Sequence, residues 1–259
     1  MAYLVNANVS ALNVYNNLGV HQAKSSASLA RISSGLKAAG GGDVASQGTA
    51  ATLNAALQAT QSSISQVQSA INQLQAADAA YGELISLAQK GVEIASRSTD
   101  AGADVSALHA ALTANAAGIT SINGSTQFNG TATALLGTAL SVDVGVTASP
   151  LVVTPAAAAA PTVSAEGAIA TTLGAYNTYV GATVDKRATN AGNLASLQNT
   201  LQVLNSVAAN EMAGIGQAQD TDIAKEMMSL TSANIMTEAA TAMLAQAMQM
   251  PNSVLKLLQ

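Results

Sequence analysis

Apolar residues near the amino terminus recur at the spacing of a helix that packs against other helices. In one set the spacing is a multiple of seven, namely Leu4, Ala11, Leu18 and Ile32. Leu29 and Leu36 are expected on the same side of the helix. A second set follows i, i+4, i+7 spacing on a different face, namely Val5, Val9 and Leu12. Because a helix that is apolar on two sides must be covered on two sides, the pattern predicts more than one neighbouring helix.

The carboxyl-terminal stretch has the same two-faced character. One apolar stripe comprises Ile223, Met227, Leu230 and Met248, and another comprises Met228, Ile235, Ala239 and Ala242. Further apolar positions are Leu244, Val254, Leu255 and Leu258. A helix of the same chain covers one stripe, so the second stripe predicts assembly with other copies.

Prolines and glycines divide the chain into predicted elements. The only prolines lie at 150, 155, 161 and 251, and a proline inside a helix costs roughly 3 kcal/mol. The predicted elements are helices over about 4–34, 43–97, 104–122 and 171–250, with one or two hairpins near 142–153. We expect the last helix to bend at Gly214 and Gly216 and to stop at Pro251. The alanine run 156–160 is expected to be a surface connection.

Composition narrows the class of protein. Of 259 residues, 49% are hydrophobic but only 9% are charged and 2% are aromatic, whereas an ordinary soluble domain has about 25% charged residues. The net charge of −5 offers no basic stripe for nucleic acid. No run reaches the roughly 18 apolar residues of a membrane span. The mixture favours long helices packed through small side chains over an enzyme core.

The sequence offers no convincing catalytic, cofactor or metal site. Its two histidines, His21 and His109, have no partner at ligand spacing, and cysteine is absent. The series Asp220, Asp222, Glu226 lacks the glycine and final glutamate of a calcium loop. Three glycines at 40–42 precede Asp43 rather than Lys-Ser or Lys-Thr, so they predict a hinge between helices, not a phosphate cradle. No cleavable signal segment is expected in residues 1–20.

Several short motifs resemble those of bacterial flagellins, in the same order along the chain. The motifs are residues 5–13 (VNANVSALN), 28–37 (SLARISSGLK), 125–130 (STQFNG), 197–200 (LQNT), 220–226 (DTDIAKE), 244–247 (LAQA) and 251–258 (PNSVLKLL). The resemblance implies a mainly α fold, an elongated antiparallel helical bundle or coiled coil with a small β-hairpin element. It also implies two domains. These are a D0-like terminal coiled coil of residues 1–42 plus 220–259, and a D1-like helical domain of residues 43–219. The latter has a short β region near 131–172, and outer D2 and D3 domains are absent.

The same resemblance implies a structural subunit, without enzymatic activity or cofactor, that self-assembles into the extracellular flagellar filament for motility. Implied partners are further copies, an export chaperone, the type III flagellar export apparatus, and hook-associated and cap proteins. The expected self-assembly residues are Leu4, Val5, Val9, Leu12, Leu18, Leu29, Ile32, Leu36, Ile223, Met227, Leu230, Ile235, Leu244, Val254, Leu255 and Leu258. The alternatives are a hook–filament junction protein, which forms one ring, and more remotely a non-flagellar helical adhesin.

Many flagellins are recognised by an innate immune receptor through the motif Gln-Arg-x-Arg-Glu-Leu. The matching residues here are Gln89, Lys90, Val92, Glu93 and Ile94. The second arginine is replaced by Val92, and Lys90 is not a bidentate donor as arginine is. The resemblance therefore implies weak or absent receptor activation.

Overall fold

The computed structural model describes residues 8–100, 102–128, 135–137, 139–142, 151–164 and 169–257. Its helices are α1 (Val9–Ser34), α2 (Val44–Ser96), α3 (Val105–Ser125), α4 (Ile169–Gln219) and α5 (Ile223–Leu257), with a 3-10 turn at Arg97–Thr99. Two strands, β1 (Leu140–Val142) and β2 (Leu151–Val153), pair antiparallel. The mainly α fold with a small β-hairpin element is confirmed. The chain divides into a terminal unit, 1–57 with 210–259, and a central unit, 58–209.

Helix α1 begins at Val9 rather than near residue 4, because Asn8 caps it. Asn8 has a non-helical backbone (φ −82°, ψ 83°), and its side-chain Oδ1 accepts a hydrogen bond from the Ala11 N–H at 3.0 Å. Residues before Asn8 lie outside the described residues. The helix ends where Gly35 turns left-handed (φ 72°) and donates its N–H to the Arg31 carbonyl, as glycine commonly does at a helix end.

The last helical arm breaks at residues 220–222, not at Gly214 and Gly216 as expected. Both glycines stay inside α4, and α5 starts afresh after Asp222. The Asp222 Oδ1 accepts from the N–H groups of Ala224 and Lys225 at 3.0 and 3.2 Å. A new helix therefore begins because a side-chain cap satisfies its first free donors.

Backbone pairing with the other end of the chain holds this break in place. The Thr221 N–H donates to the Gly35 carbonyl at 2.8 Å, and the Lys37 N–H donates to the Gln219 carbonyl at 2.9 Å. These bonds form an isolated antiparallel bridge in the terminal unit, between the segments that follow α1 and α4. Backbone groups that leave the helix thus find partners elsewhere.

Pro251 does not end the last helix, contrary to the sequence prediction. Helix α5 continues to Leu257. Proline has no N–H to donate to the carbonyl four residues earlier, that of Ala247. The side-chain amide of Asn8 donates to that carbonyl instead, at 2.7 Å. The break in the helical hydrogen-bond ladder is thereby repaired from outside the helix.

The predicted starts of α2 and α3 are confirmed. The carboxylate of Asp43 accepts from the Ser46 N–H at 3.1 Å, and Asp104 accepts from the Ala107 N–H at 3.1 Å. Both arrangements are aspartate caps of the kind that begin helices. The gap between α2 and α3 agrees with the predicted end of one helix near residue 97 and start of the next near residue 104.

In the central unit, α2, α3 and α4 share one apolar core. Its largest fully buried side chains are Tyr81 and Leu84 of α2, Leu112 and Ile119 of α3, and Tyr176 of α4. A second cluster joins Val67 and Leu74 of α2 to Leu197 and Leu204 of α4. The β-hairpin covers this second cluster with the buried side chains of Val142 and Val153.

The alanine run at 156–160, expected to be a surface connection, also packs against this core: Ala157 and Ala159 are exposed, but Ala158 belongs to the core. Ala158 is buried, as are the flanking prolines at 155 and 161. The Tyr81 hydroxyl donates to the Ala156 carbonyl at 3.0 Å, and the Asn123 amide donates to the Ala158 carbonyl at 3.2 Å. Side chains of the helices thus satisfy the carbonyls of a segment that has no strand partner.

Candidate functional site

Helices α1 and α5 pack antiparallel along a seam in the terminal unit. The seam residues of α1 are buried or half-buried at heptad spacing, namely Ala11, Val14, Leu18, His21, Ser25, Ser28 and Ile32. Those of α5 follow the same rule, namely Glu226, Leu230, Ala233, Thr237, Ala240, Leu244 and Ala247. The repeat of 3.5 residues identifies the pair as a coiled coil.

Small side chains occupy the most buried positions of this seam. Ala11, Ser28, Ala233 and Ala247 are all buried. Such residues let two helices approach closely, but they remove little apolar area from water. The pairing within one chain buries some larger apolar side chains only in part, such as Leu18 and Leu230, and leaves others exposed outside the seam.

Polar contacts across the seam set its register. The Ser25 hydroxyl donates to the Asn234 Oδ1 at 2.9 Å, and the Ser28 hydroxyl donates to the Ser229 hydroxyl at 3.2 Å. These pairs advance along α1 as they retreat along α5. Each of them would be lost if one helix slid by a turn relative to the other, so the pairing is specific.

A salt bridge closes the seam at the carboxyl end of α1. The Arg31 Nη1 lies 3.2 Å from the Glu226 Oε1, and neither side chain is fully exposed. Arg31 also donates through Nε to the Ala39 carbonyl at 3.3 Å. One guanidinium thus joins α1, the start of α5 and the loop between α1 and α2.

The glycine loop after α1 packs tightly and is not an open hinge. A Cβ on Gly40 would lie 2.8 Å from the Ala27 Cα, and a Cβ on Gly42 would lie 2.0 Å from the Lys37 carbonyl oxygen. At its end, the Ser46 hydroxyl and then the Ser46 N–H lower the pKa of Asp43 by hydrogen bonding to its carboxylate. The capping aspartate therefore stays charged where α2 begins.

Large apolar side chains lie exposed on the outward faces of α1 and α5. On α1 these are Val9, Leu12, Tyr15, Val20 and Leu29. On α5 they are Ile223, Met227, Met228, Ile235, Met236, Met243 and Met248. We call these twelve residues the outward apolar face. Leu29 was expected beside Leu18, but it is 58% exposed because it lies one residue beyond the seam position Ser28.

The expected self-assembly residues fall into three groups. Half-buried residues on the seam or at its end are Leu18, Ile32, Leu36, Leu230 and Leu244. Exposed residues are Val9, Leu12, Leu29, Ile223, Met227 and Ile235. The third group is Leu4, Val5 and Leu258, which lie outside the described residues, and Val254 and Leu255, whose helix is described but whose side chains are not.

The expected self-assembly residues omit four exposed methionines of α5, namely Met228, Met236, Met243 and Met248, although Met228 and Met248 belong to the apolar stripes seen in the sequence. A signal for them exists. Met236 and Met243 are seven residues apart, and Met228 is seven residues before Ile235. That spacing keeps the two residues of each pair on one side of a coiled-coil helix, and the two pairs occupy neighbouring positions of the heptad.

The segment aligned with the immune-receptor motif lies in α2, within the central unit. Gln89, Lys90 and Glu93 are exposed, and Glu93 accepts a hydrogen bond from Arg97 at 2.7 Å. Val92 and Ile94 pack against the core instead. The exposed part of this segment therefore carries one cation, Lys90, and one ion pair.

The two histidines belong to different units of the chain. His21 is half-buried on the α1 seam, and the His109 Nε2 lies 2.9 Å from the Ser164 carbonyl oxygen in the central unit. In the part of the chain that the structure describes, no group of three acidic or histidine side chains could hold a metal ion. Nor does any described helix combine the length and apolar character needed to cross a membrane.

Long helices, a close-packed seam between the chain termini and an exposed apolar face define a helical structural protein. The family models described as bacterial flagellin N-terminal helical region and bacterial flagellin C-terminal helical region match residues 5–135 and 168–258. The chain therefore belongs to the bacterial flagellin family and is a structural subunit of the flagellar filament.

Individual relatives agree with the family models. The chain is 28% identical to a flagellin of Halalkalibacterium halodurans over 99% of its own length and 100% of the relative's. It is also 43% identical to a flagellin of Bacillus subtilis over 63 residues, which cover 24% of this chain and 21% of the relative. Flagellin A of Vibrio cholerae is 41% identical over 63 residues, 24% of this chain and 17% of that protein.

Proposed function

We propose that the chain polymerises through the outward apolar face of α1 and α5, which neighbouring copies cover in the filament. The observation that carries this proposal is the division of the two helices. Small residues meet on the seam within the chain, while Ile235 and Met228 stay 60% and 67% exposed. Exposed apolar side chains of this size and number are typical of protein–protein contacts.

The proposed domains follow the resemblance. Residues 1–42 with 220–259 form the D0-like terminal coiled coil, and residues 43–219 form the D1-like domain. The α1–α5 seam supports this assignment, since it unites the two ends of the chain. The break at 220–222 supports the second boundary. The compact units divide further along the helices, at 57/58 and 209/210.

Membership of the flagellin family also suggests how the subunit is exported and added to the filament. The export chaperone, the type III export apparatus, and the cap and hook-associated proteins are its proposed partners, and the filament is extracellular. The chain acts mechanically and has no enzymatic activity of its own. This part of the proposal rests on membership of the flagellin family.

Substitution of Ile235 tests the assembly surface. Ile235→Asp places a charge on the exposed face, so the chain should still fold but should not polymerise, because a charge buried without a partner costs several kcal/mol. Ile235→Leu is the matched control and should polymerise normally. Electron microscopy and sedimentation of polymerised samples provide the measurement. Filaments of normal length from Ile235→Asp would contradict the proposed surface.

We also infer weak activation of the innate immune receptor that recognises many flagellins. Only Lys90 supplies a cation in the exposed part of the segment, and Val92 is directed into the core packing. Purified monomer should give little signal in a receptor reporter assay. Restoring the motif with Lys90→Arg and Val92→Arg together should raise the signal. Strong activation by the unmodified chain would refute the inference.

A further inference from the structure

The last turns of α5 contain a proline inside a helix, which removes one hydrogen-bond donor from the helical ladder. Helix α5 runs through Pro251 to Leu257. The residue four positions earlier is Ala247, and its carbonyl lacks the N–H donor that position 251 supplies in a regular helix. Ala247 is buried on the seam, only 8% exposed. Water is therefore a poor substitute for the missing donor.

Asn8 supplies that donor and caps α1 at the same time. Its Nδ2 donates to the Ala247 carbonyl at 2.7 Å, and its Oδ1 accepts from the Ala11 N–H at 3.0 Å. The two partners also fix the orientation of the Asn8 amide. Only its nitrogen can donate to the Ala247 carbonyl, and only its oxygen can accept from the Ala11 N–H. One side chain thus completes the first turn of α1 and the interrupted turn of α5.

We propose that Asn8 is a positioning residue that makes the order of α5 beyond the proline depend on the docking of α1. When α1 is docked, the Ala247 carbonyl is paired and the helix continues through Pro251. When α1 is absent, that carbonyl is unpaired and the final turns of α5 open. The two chain ends therefore order together and in a single register. This proposal depends on the proposed assembly in one respect, namely that the experiment below uses filaments as its sample.

Asparagine is the residue that this double role requires. Aspartate caps a helix about as well as asparagine does, but it has no donor for the Ala247 carbonyl and would place a negative charge beside it. Serine also caps helices, yet its side chain is one atom shorter and carries a single polar group. The substitution Asn8→Asp therefore removes the bond to α5 and keeps the cap of α1.

A double-mutant cycle tests the link between Asn8 and Pro251. The variants are Asn8→Asp, Pro251→Ala and the two combined, with exposed Asn13→Asp as the matched charge control. Alanine at 251 restores the N–H for Ala247, so Asn8 is no longer needed there. The readout is amide hydrogen exchange of a peptide covering residues 248–257 in polymerised full-length chain, followed by mass spectrometry.

We expect Asn8→Asp to speed exchange of this peptide by roughly three- to tenfold, as loss of one hydrogen bond would. The effect should shrink below about twofold in the Pro251→Ala background, and Asn13→Asp should change little. If Asn8→Asp prevents polymerisation, Pro251→Ala should restore it. An equal effect of Asn8→Asp in both backgrounds, no effect in either, or no rescue would overturn the proposal. Filaments from the unmodified chain would still support the proposed function.

Discussion

The close contact between Tyr176 and Gly91 shows how single residues determine packing in the central unit. A Cβ on Gly91 would lie 2.1 Å from the Tyr176 ring. The ring has no room to retreat, because Tyr176 is fully buried and its hydroxyl donates to the Leu112 carbonyl at 3.1 Å. Glycine at 91 is thus required for α4 to pack on α2, despite its cost to helix formation.

Gly91→Ala should destabilise the central unit by about 1–3 kcal/mol, because the added methyl group overpacks a filled site. Gly82, in the same helix, has nothing within 4 Å of a Cβ. Gly82→Ala should stabilise the helix by about 0.5–1 kcal/mol. Thermal unfolding followed by circular dichroism measures both. Equal stability changes of the same sign in the two variants would contradict the packing argument.

Buried tyrosines give the central unit a defined sensitivity to alkali. Burial raises the pKa of Tyr176 from 10.0 to about 12, and burial together with neighbouring Tyr179 raises the pKa of Tyr81 to about 12. Below pH 10 these hydroxyls are neutral in folded and unfolded chains alike. Between pH 10 and 12 only the unfolded chain ionises, so the free energy of unfolding falls as the pH rises.

The expected loss is about 2 kcal/mol for each hydroxyl by pH 12. Tyr176→Phe removes one titrating group, so it should flatten the decline between pH 10 and 12, although it also removes the hydrogen bond to Leu112. The measurement is the unfolding temperature of parent and variant across this pH range. Parallel curves for the two proteins would show that the ionisation of Tyr176 does not contribute.

At the scale of elements, the small residues of the α1–α5 seam keep the two helices close. Ala233→Leu would fill a position that is 5% exposed and force the helices apart, at a cost of about 1–3 kcal/mol. The separation would also strain the Ser28–Ser229 contact. Exposed Ala245 lies off the seam and provides the matched control, Ala245→Leu.

We expect Ala233→Leu to lower the temperature at which polymerised chain loses its far-ultraviolet helical signal, and Ala245→Leu to change it less. If Ala233→Leu is as stable as the parent, the small side chain at this position is not needed for the two helices to pack. The comparison isolates the seam, because both substitutions add the same atoms to the same helix.

Several helix boundaries were predictable from a single residue. Asp43 and Asp104 mark helix starts, because an aspartate side chain can cap the first N–H groups of a helix. Gly35 marks a helix end, because glycine readily adopts the left-handed backbone found there. The break before α5 was missed because Gly214 and Gly216 have the stronger propensity signal. A helix tolerates glycine at about 1 kcal/mol, whereas the real break depends on bridges to residues 35 and 37, far away in sequence.

The presence of two apolar faces on each terminal helix was predictable, but the residues that belong to each face were not. Two apolar faces per helix are visible in the sequence, yet the sequence does not say which face meets the partner helix of the same chain. Leu29 illustrates the difficulty, since its spacing from Ile32 and Leu36 suits a straight helix of period 3.6. The seam follows a period of 3.5 and leaves Leu29 outside it.

For the whole molecule, the low charge content becomes understandable once the exposed side chains are known. Only 9% of residues are charged, and the outward apolar face includes five methionines. A monomer with such a surface is prone to associate. Because neighbouring copies cover this face in the proposed filament, the composition serves assembly rather than the solubility of one chain.

The central claim is that copies of this chain build a long filament through their terminal helices. Electron microscopy of purified chain after induced polymerisation tests it most directly. We expect filaments of many subunits from the unmodified chain and only monomers from Ile235→Asp under the same conditions. Single rings would instead identify a hook–filament junction protein, and a chain that stays monomeric at all concentrations would contradict the account.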